Sequence, residues 1–154
     1  MPVIDDPLRL PGRRSSIYPK PFDEGFDKRI KRALTDGLGL TQFGVNLTTL
    51  EPGGKSAHRH WHACEDEFIY VLSGELTLVT DEGEQTLKPS MAVGFPAGDE
   101  NGHQLVNNSG EPATYLEIGT RAVNDEATYP DIDLKAEKKD GRFRFFKKSG
   151  EPYE

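Results

Sequence analysis

The chain has 154 residues, a formal net charge of −7 at pH 7 and a single cysteine, Cys64. This length fits one domain with a real core. The negative charge argues against nucleic acid or an anionic membrane as a partner, and one cysteine excludes an intrachain disulfide. No apolar run approaches the roughly 20 residues that span a bilayer, and the N-terminus lacks the apolar stretch of a signal peptide. We therefore expect a cytoplasmic protein.

The pattern of residues along the chain predicts β structure after an irregular start. Residues 1–27 are rich in proline and show little periodicity, which predicts an irregular arm. The next segment, DKRIKRALTDGLGL, fits either a short helix or a strand from Arg29 to Leu34. From Thr41 onwards, apolar and β-branched runs alternate with turn residues at intervals of about 8–12 residues, which is typical of an all-β sandwich or barrel.

These features divide the chain into three predicted parts. We expect an irregular arm at 1–27, an all-β barrel at 28–122, and an extension at 123–154 that packs on the barrel or on a partner chain. No internal repeat is present, and no linker separates two domains.

Three of the four histidines, His58, His60 and His62, lie in the stretch GGKSAHRHWHACEDEF. Alternate side chains of a β-strand lie on one face, so these three imidazoles share a face. Neutral imidazole is a good ligand for divalent first-row metals, and a pKa of about 6.5 leaves histidine mostly neutral at pH 7. A carboxylate from the next strand would add a charged ligand, and Glu65 and Glu67 both have the right parity.

The spacing in this stretch resembles the first motif of the cupin superfamily. That motif consists of a glycine, two histidines, a glutamate and a second glycine. The matching residues here are Gly54, His60, His62, Glu67 and Gly74, which are separated by five, one, four and six residues. If the motif is instead aligned with His58, His60 and Glu65, Leu72 falls at the position of the closing glycine. The resemblance therefore implies that His60, His62 and Glu67 are metal ligands, and it leaves His58 and Glu65 outside the ligand set.

The later segment SMAVGFPAGDENGHQLVNN resembles the second cupin motif, with Pro96, Gly98, His103 and Asn107 in the expected order. Two features depart from the usual pattern. Ser90 replaces the first glycine, and the four residues DENG separate Gly98 from His103 where two are usual. The resemblance implies that His103 begins a strand and completes the metal site.

Together, the two motifs imply a double-stranded β-helix, also called a jelly roll or cupin barrel. They imply that His60, His62, Glu67 and His103 bind one divalent transition metal (Fe, Mn, Ni or Zn) at distances of about 2.0–2.2 Å. A homodimer is also expected, because small cupins pair through edge strands and exchanged arms, and an open sheet edge needs covering.

Several neighbouring residues are interpreted as having other roles. Asn107 and Gln104 are the candidates for hydrogen bonds to the free imidazole nitrogens. His58 is interpreted as a residue at the mouth of the pocket or just behind the metal ligands, rather than as a ligand. Glu65 and Asp66 are interpreted as parts of a solvated turn, which also holds Cys64 as an inert thiol. Ile69 and Val71 are expected on the same strand face as Glu67, provided that no bulge intervenes.

The motifs indicate function in general terms. Four protein ligands leave positions open on a six-coordinate ion for a small substrate, water or O₂, as in an isomerase or a dioxygenase. The alternative is a non-catalytic module that binds or senses a small ligand in the same barrel.

Small bacterial cupins with a similar lead-in are sometimes named as sugar-phosphate isomerases. A phosphate site, however, needs arginine, lysine or a helix N-terminus. Arg59 lies off the histidine face, and Lys55 and Arg121 lie at predicted strand ends. We therefore expect a substrate without phosphate.

Overall fold

The computed structural model describes residues 2–154, and it confirms the predicted double-stranded β-helix. The strand alternative for DKRIKRALTDGLGL is observed, followed by a single helical turn. No helix within residues 2–154 is long and apolar enough to cross a membrane. The elements in chain order are a 3-10 helix (Pro7–Arg9), β1 (Arg29–Ala33), α1 (Leu34–Gly37), β2 (Phe43–Leu50), β3 (Trp61–His62), β4 (Glu67–Ser73), β5 (Leu76–Thr80), β6 (Gly83–Leu87), β7 (Ala92–Phe95), β8 (Gln104–Val106), β9 (Ala113–Thr120), β10 (Asp125–Tyr129), β11 (Leu134–Lys139) and β12 (Arg142–Phe146).

The strands form two facing walls. The first wall is a five-stranded antiparallel sheet in the order β1-β2-β9-β4-β7. The second wall combines a four-stranded sheet, β12-β11-β10-β3, with a three-stranded sheet, β6-β5-β8. A β-bridge between His60 and His103 joins these two sheets edge to edge. The three histidine candidates, His60, His62 and His103, therefore lie at the seam of the second wall, where they face the first wall.

The alternation along β4 places Glu67 on the inner side of the first wall. Ile69 and Val71 are buried, whereas Phe68 and Leu72 are exposed. This confirms that Ile69 and Val71 share the inner face with Glu67, and the register shift of β4 comes later, between Val71 and Ser73. Inward side chains of both walls meet in an apolar core, formed by Leu50, Ile69, Val71, Leu76, Leu78, Leu87, Leu105, Ala113 and Tyr115. A second apolar cluster is formed by Ala127, Tyr129, Leu134 and Ala136.

The N-terminal arm packs on its own barrel. The Tyr18 ring lies 4.8 Å from the His58 ring and 5.6 Å from the Tyr129 ring, measured between centroids. Phe26, at the end of the arm, is 1% exposed. Tyr18 and Phe26 are therefore covered by the barrel of the same chain, whereas Val3, Leu8 and Ile17 of the arm are exposed. The homodimer stays a prediction.

Candidate metal centre

His60 and His103 are held side by side by the β-bridge at the seam. They exchange two backbone hydrogen bonds, His60 N–H to His103 O at 3.1 Å and His103 N–H to His60 O at 2.9 Å. Residues paired in this way point their side chains to the same face, and the two imidazole centroids are 4.7 Å apart. His62 follows two residues after His60, and its ring lies 5.0 Å from that of His60.

Glu67 faces these imidazoles from the opposite wall. It is the first residue of β4, paired with Phe95 of β7 and with Gly119 of β9. Its Oε1 lies 3.3 Å from His62 Nε2 and 3.7 Å from His60 Nε2, while Oε2 contacts His103 Nε2. The fold thus gathers all four residues predicted from the two motifs around one point, although metal binding by them stays a prediction.

Hydrogen bonds on the far side of two rings direct their Nε2 atoms towards Glu67. His60 Nδ1 donates to the His58 carbonyl at 2.7 Å, because a carbonyl can only accept. His62 Nδ1 lies 2.6 Å from Asp125 Oδ2, and the side chain of Asp125 is fully buried. A bond of this kind fixes the ring and makes the other nitrogen a better metal ligand.

The donor set fits a divalent transition metal. Glu67 Oε2 and His103 Nδ1 are buried without a hydrogen-bond partner anywhere in residues 2–154, since the contact of Glu67 with His103 lacks hydrogen-bond geometry. Ligand atoms of His60, His62 and Glu67 lie within 4.8 Å of one another. Imidazole nitrogens and one carboxylate oxygen that converge in a buried position suit Fe, Mn, Ni or Zn.

The environment of the cluster shifts the pKa values of its members. Burial lowers the pKa of His62, but hydrogen bonds with Asp125 and Glu67 outweigh burial and raise it to about 10. Burial acts in the opposite direction on Glu67, yet the three imidazoles that surround its carboxylate hold the pKa of Glu67 well below its ordinary value. Burial also keeps the pKa of His103 below its ordinary value, against the influence of Glu67. Glu67 is therefore a carboxylate, the form that binds metals.

The nearby residues interpreted as non-ligands lie outside the cluster, but two interpretations need correction. The pocket mouth is wrong for His58, because its ring lies between the barrel and the arm, where Nε2 donates to the Phe22 carbonyl at 2.8 Å. Its carbonyl, however, supports the ring of His60 from behind, as the other interpretation expected. The interpretation as part of a solvated turn is wrong for Glu65. This residue is buried, forms an ion pair with Lys138 and accepts the Ala122 N–H at 2.9 Å. The turn interpretation fits Asp66, which is exposed.

The predicted hydrogen-bond partners of the imidazoles are also wrong. Asn107 donates to the carbonyls of Leu50 and Glu111, both at 2.8 Å, and therefore fixes a loop. Gln104 donates to the Ala57 carbonyl at 2.7 Å. The supporting carboxylate is Asp125, which comes from β10, the strand that pairs with β3. Its sequence position, outside both motifs, gave no signal of this role.

The cluster borders a cavity of about 620 Å³ that lies between the two walls and the arm. Basic side chains line this cavity beside the four metal-ligand candidates, namely Arg13, Arg29, Lys31, Arg121 and Lys138. The expectation of a substrate without phosphate assumed that no basic side chain reaches the site, and this assumption is wrong. Sequence reasoning missed these residues because most of them belong to the arm and to β1, whose conformation the pattern left open. A second cavity of about 370 Å³ reaches the cluster past Trp61, Asp99 and Asn101.

The comparisons agree with the fold described above. The family model for the cupin domain matches residues 46–119. The chain is 44% identical to a sugar phosphate isomerase from a cupin superfamily of Silicibacter pomeroyi, over 97% of this chain and 95% of that one, with a TM-score of 0.92. This chain belongs to the cupin superfamily.

Two further solved structures differ more in sequence. A candidate sugar phosphate isomerase from Acidithiobacillus ferrooxidans is 29% identical over 92% of this chain and 88% of that one, with a TM-score of 0.81. A polyketide cyclase from Streptomyces resistomycificus shares the fold alone. It is 22% identical over 78% of this chain and 80% of that one, with a TM-score of 0.60. No curated protein sequence matches the chain.

Proposed function

We propose that this chain is a metal-dependent isomerase that acts on a small polyhydroxy carbonyl compound. His60, His62, Glu67 and His103 would hold the metal. The observation that carries the proposal is that this cluster opens onto a cavity of about 620 Å³ whose walls hold polar and charged side chains among apolar ones. A cavity of this size accommodates a small organic molecule, and hydroxyl groups need hydrogen-bonding walls when they leave water.

The proposed reaction divides between the metal site and the cavity wall. A bound divalent metal polarises a carbonyl as a Lewis acid. Moving that carbonyl to the neighbouring carbon also requires a side chain that takes a proton from one carbon and returns it to the other, while the proton of the neighbouring hydroxyl passes to the former carbonyl oxygen. We assign this role to Glu117, which lines the cavity on the inner face of β9 and pairs in register with Ile69, two residues along β4 from Glu67.

Other wall residues would bind and orient the substrate. Tyr129 stacks on His60 at 5.5 Å between ring centroids, and it is buried. Asn46 pairs in register with Glu117 and lines the same cavity. Both side chains offer neutral hydrogen-bonding groups beside the metal cluster. The sugar phosphate isomerase of Silicibacter pomeroyi and the candidate sugar phosphate isomerase of Acidithiobacillus ferrooxidans, both similar to this chain, support the same class of reaction.

The proposal is tested by proton exchange at carbon. The protein would be loaded separately with Mn(II), Fe(II), Ni(II) and Zn(II) and incubated in D₂O with pairs of aldoses and ketoses, both free and phosphorylated. We expect deuterium to enter the carbon next to the carbonyl, together with conversion of one isomer into the other. His62→Ala should abolish both signals, and Glu117→Gln should reduce them strongly even when fully loaded with metal. Cys64→Ser, a change to an exposed side chain, is the matched control and should keep full activity.

Two outcomes would contradict the proposal. Oxygen consumption with a catechol or diketone substrate, without isomerisation of any sugar, would favour the dioxygenase. Tight binding of a small ligand without turnover at any metal loading would favour the binding or sensing module.

A further inference from the structure

Arg29 is a buried cation without a carboxylate partner. It is 4% exposed, and none of the ion pairs formed by residues 2–154 includes it. Its Nη1 donates to the Ser56 carbonyl at 2.6 Å and its Nη2 to the Ser15 carbonyl at 2.9 Å, but its Nε is buried with no acceptor in the described chain. Burying a charge is unfavourable unless it is paired, so this guanidinium suits an anionic ligand.

Other unpaired polar atoms point to the same cavity. Six side-chain N or O atoms in the described residues are buried without a hydrogen-bond partner, and five of the residues that carry them line the cavity of about 620 Å³: Ser16, Arg29, Glu67, His103 and Tyr115. Two of these, Glu67 and His103, belong to the metal cluster. The other three lie on the arm, β1 and β9. Buried polar atoms are nearly always paired in native proteins, so this concentration indicates a polar ligand.

Two other basic side chains that line the cavity are already paired with carboxylates. Lys31 lies 3.5 Å from Glu117, and Lys138 is paired with Glu65. Tyr115, which is fully buried, lies close enough to Arg29 for the two to interact electrostatically. The guanidinium of Arg29 therefore retains its positive charge for a ligand, with a hydroxyl nearby that can donate a hydrogen bond to the same anion.

We infer that Arg29, Tyr115 and Ser16 form an oxyanion-binding subsite, which holds a carboxylate or phosphate group of the molecule bound at the metal cluster. The two carbonyl bonds fix the plane of the guanidinium, so Nε–H and the free N–H bonds are already oriented for two oxygens of one anion. The identity of that molecule as a substrate rests on the proposed isomerase. The subsite itself is formed by the arm, β1 and β9, and it does not require bound metal.

The test measures anion binding to the metal-free protein. Inorganic phosphate and, separately, acetate would be titrated into the full-length chain while the arginine Nε–H signals are followed by ¹H–¹⁵N NMR. We expect the Arg29 Nε–H signal to shift with one of these anions in a saturable manner. Phosphate and acetate distinguish the two possible anionic groups, because a carboxylate site would respond to acetate and a phosphate site to phosphate.

Substitutions locate the site. Arg29→Gln should weaken binding by at least roughly 10-fold, as expected for the loss of a hydrogen-bonded charge. Tyr115→Phe, which keeps the ring, should weaken it by roughly 3- to 10-fold. Arg32→Gln is the matched control, because Arg32 is on the same strand and also donates to a carbonyl, that of Leu10, but does not line the cavity. It should leave binding unchanged.

The inference is overturned if neither anion shifts the Arg29 signal at millimolar concentration, or if Arg29→Gln and Arg32→Gln weaken binding equally. If Arg29→Gln does not fold, the titration of the wild type and of Tyr115→Phe still tests whether the anion binds at this subsite. These results do not depend on bound metal or on turnover, so the subsite and the isomerase can fail separately.

Discussion

Asp125 Oδ2 lies 2.6 Å from Nδ1 of His62, across the pair of strands β10 and β3. Its other oxygen accepts the backbone N–H of Cys64 at 2.8 Å. One buried carboxylate therefore orients the imidazole and holds the chain just after it. This arrangement sets the direction of His62 Nε2 before any metal arrives.

The first prediction concerns this bond. Asp125→Asn keeps an oxygen that accepts the Cys64 N–H. Its amide group, however, faces His62 Nδ1 and no longer accepts the proton of that nitrogen well. Loss of such a supporting carboxylate lowers metal affinity by roughly 10- to 100-fold. Metal titrations with a competing chelator would measure the change. Glu126→Gln, a change at an exposed neighbour, should have no effect, and equal affinities for Asp125→Asn and the wild type would contradict the role of Asp125.

The second prediction separates ligands from neighbours. His62→Ala should sharply lower the metal content of the purified and reconstituted protein, because it removes one of the converging nitrogens. His58→Ala should leave metal content nearly unchanged, because the His58 ring packs between the barrel and the arm. Elemental analysis would provide the measurement. Full metal in both variants, or only trace metal in the wild type with all four ions, would show that the cluster is not a metal site.

The sequence was sufficient to predict the barrel and the cluster because both depend on local patterns. Alternation over a few residues places Ile69 on the same face as Glu67, and the spacing of His60 and His62 needs only one strand. The DENG loop, longer than usual, did not displace His103, because its backbone is held by the bridge to His60. The predicted ligand cluster thus follows from strand periodicity and two motifs.

The supporting contacts could not be predicted, because they depend on the order of strands. Asp125 meets His62 only because β10 pairs with β3, and Lys138 lies opposite Asp125 only because β11 pairs with β10. Arg29 reaches the cavity because β1 is the edge of the first wall and the arm closes over it. Such pairings join residues far apart in sequence, and neither alternation nor composition specifies them.

The third prediction concerns the buried ion pair beside the metal cluster. Lys138→Met leaves Glu65 as an uncompensated buried carboxylate, so it should lower the free energy of unfolding by about 3–5 kcal/mol. Adding Glu65→Gln should restore much of this loss, because the amide is neutral and its oxygen still accepts the Ala122 N–H. Urea unfolding would measure all three proteins. Lys139→Met, at an exposed position next in the chain, should change stability little, and a double variant no more stable than Lys138→Met would contradict this account.

The fourth prediction is the homodimer. Large apolar side chains stay exposed on the outer side of the first wall, including Phe43, Phe68 and Leu72, and contiguous exposed apolar surface often marks an interface. We expect light scattering at micromolar concentration to give twice the chain mass of 17.1 kDa. A mass equal to one chain would contradict the prediction.

The fifth prediction concerns Ser90, which stands where the second cupin motif usually has its first glycine. Its φ is 73°, in the left-handed region, and its N–H donates to the Val71 carbonyl at 2.9 Å. The turn has therefore kept a conformation that favours glycine, although the residue has changed. A residue with a side chain is disfavoured there by about 1–2 kcal/mol, whereas the extra freedom of glycine in the unfolded chain offsets about 0.5–1 kcal/mol.

Ser90→Gly should therefore stabilise the protein by up to about 1 kcal/mol, which corresponds to a rise in Tm of about 2–4 °C for a chain of this size. Ser73→Gly makes the same change in a strand, where φ is not positive, and should be destabilising because only the entropic effect remains. Differential scanning calorimetry on the metal-free protein would compare both variants with the wild type. A Tm that falls equally in both variants would show that the backbone at Ser90 relaxes to a conformation suited to serine, and that the left-handed turn is not needed to close β4 onto β7.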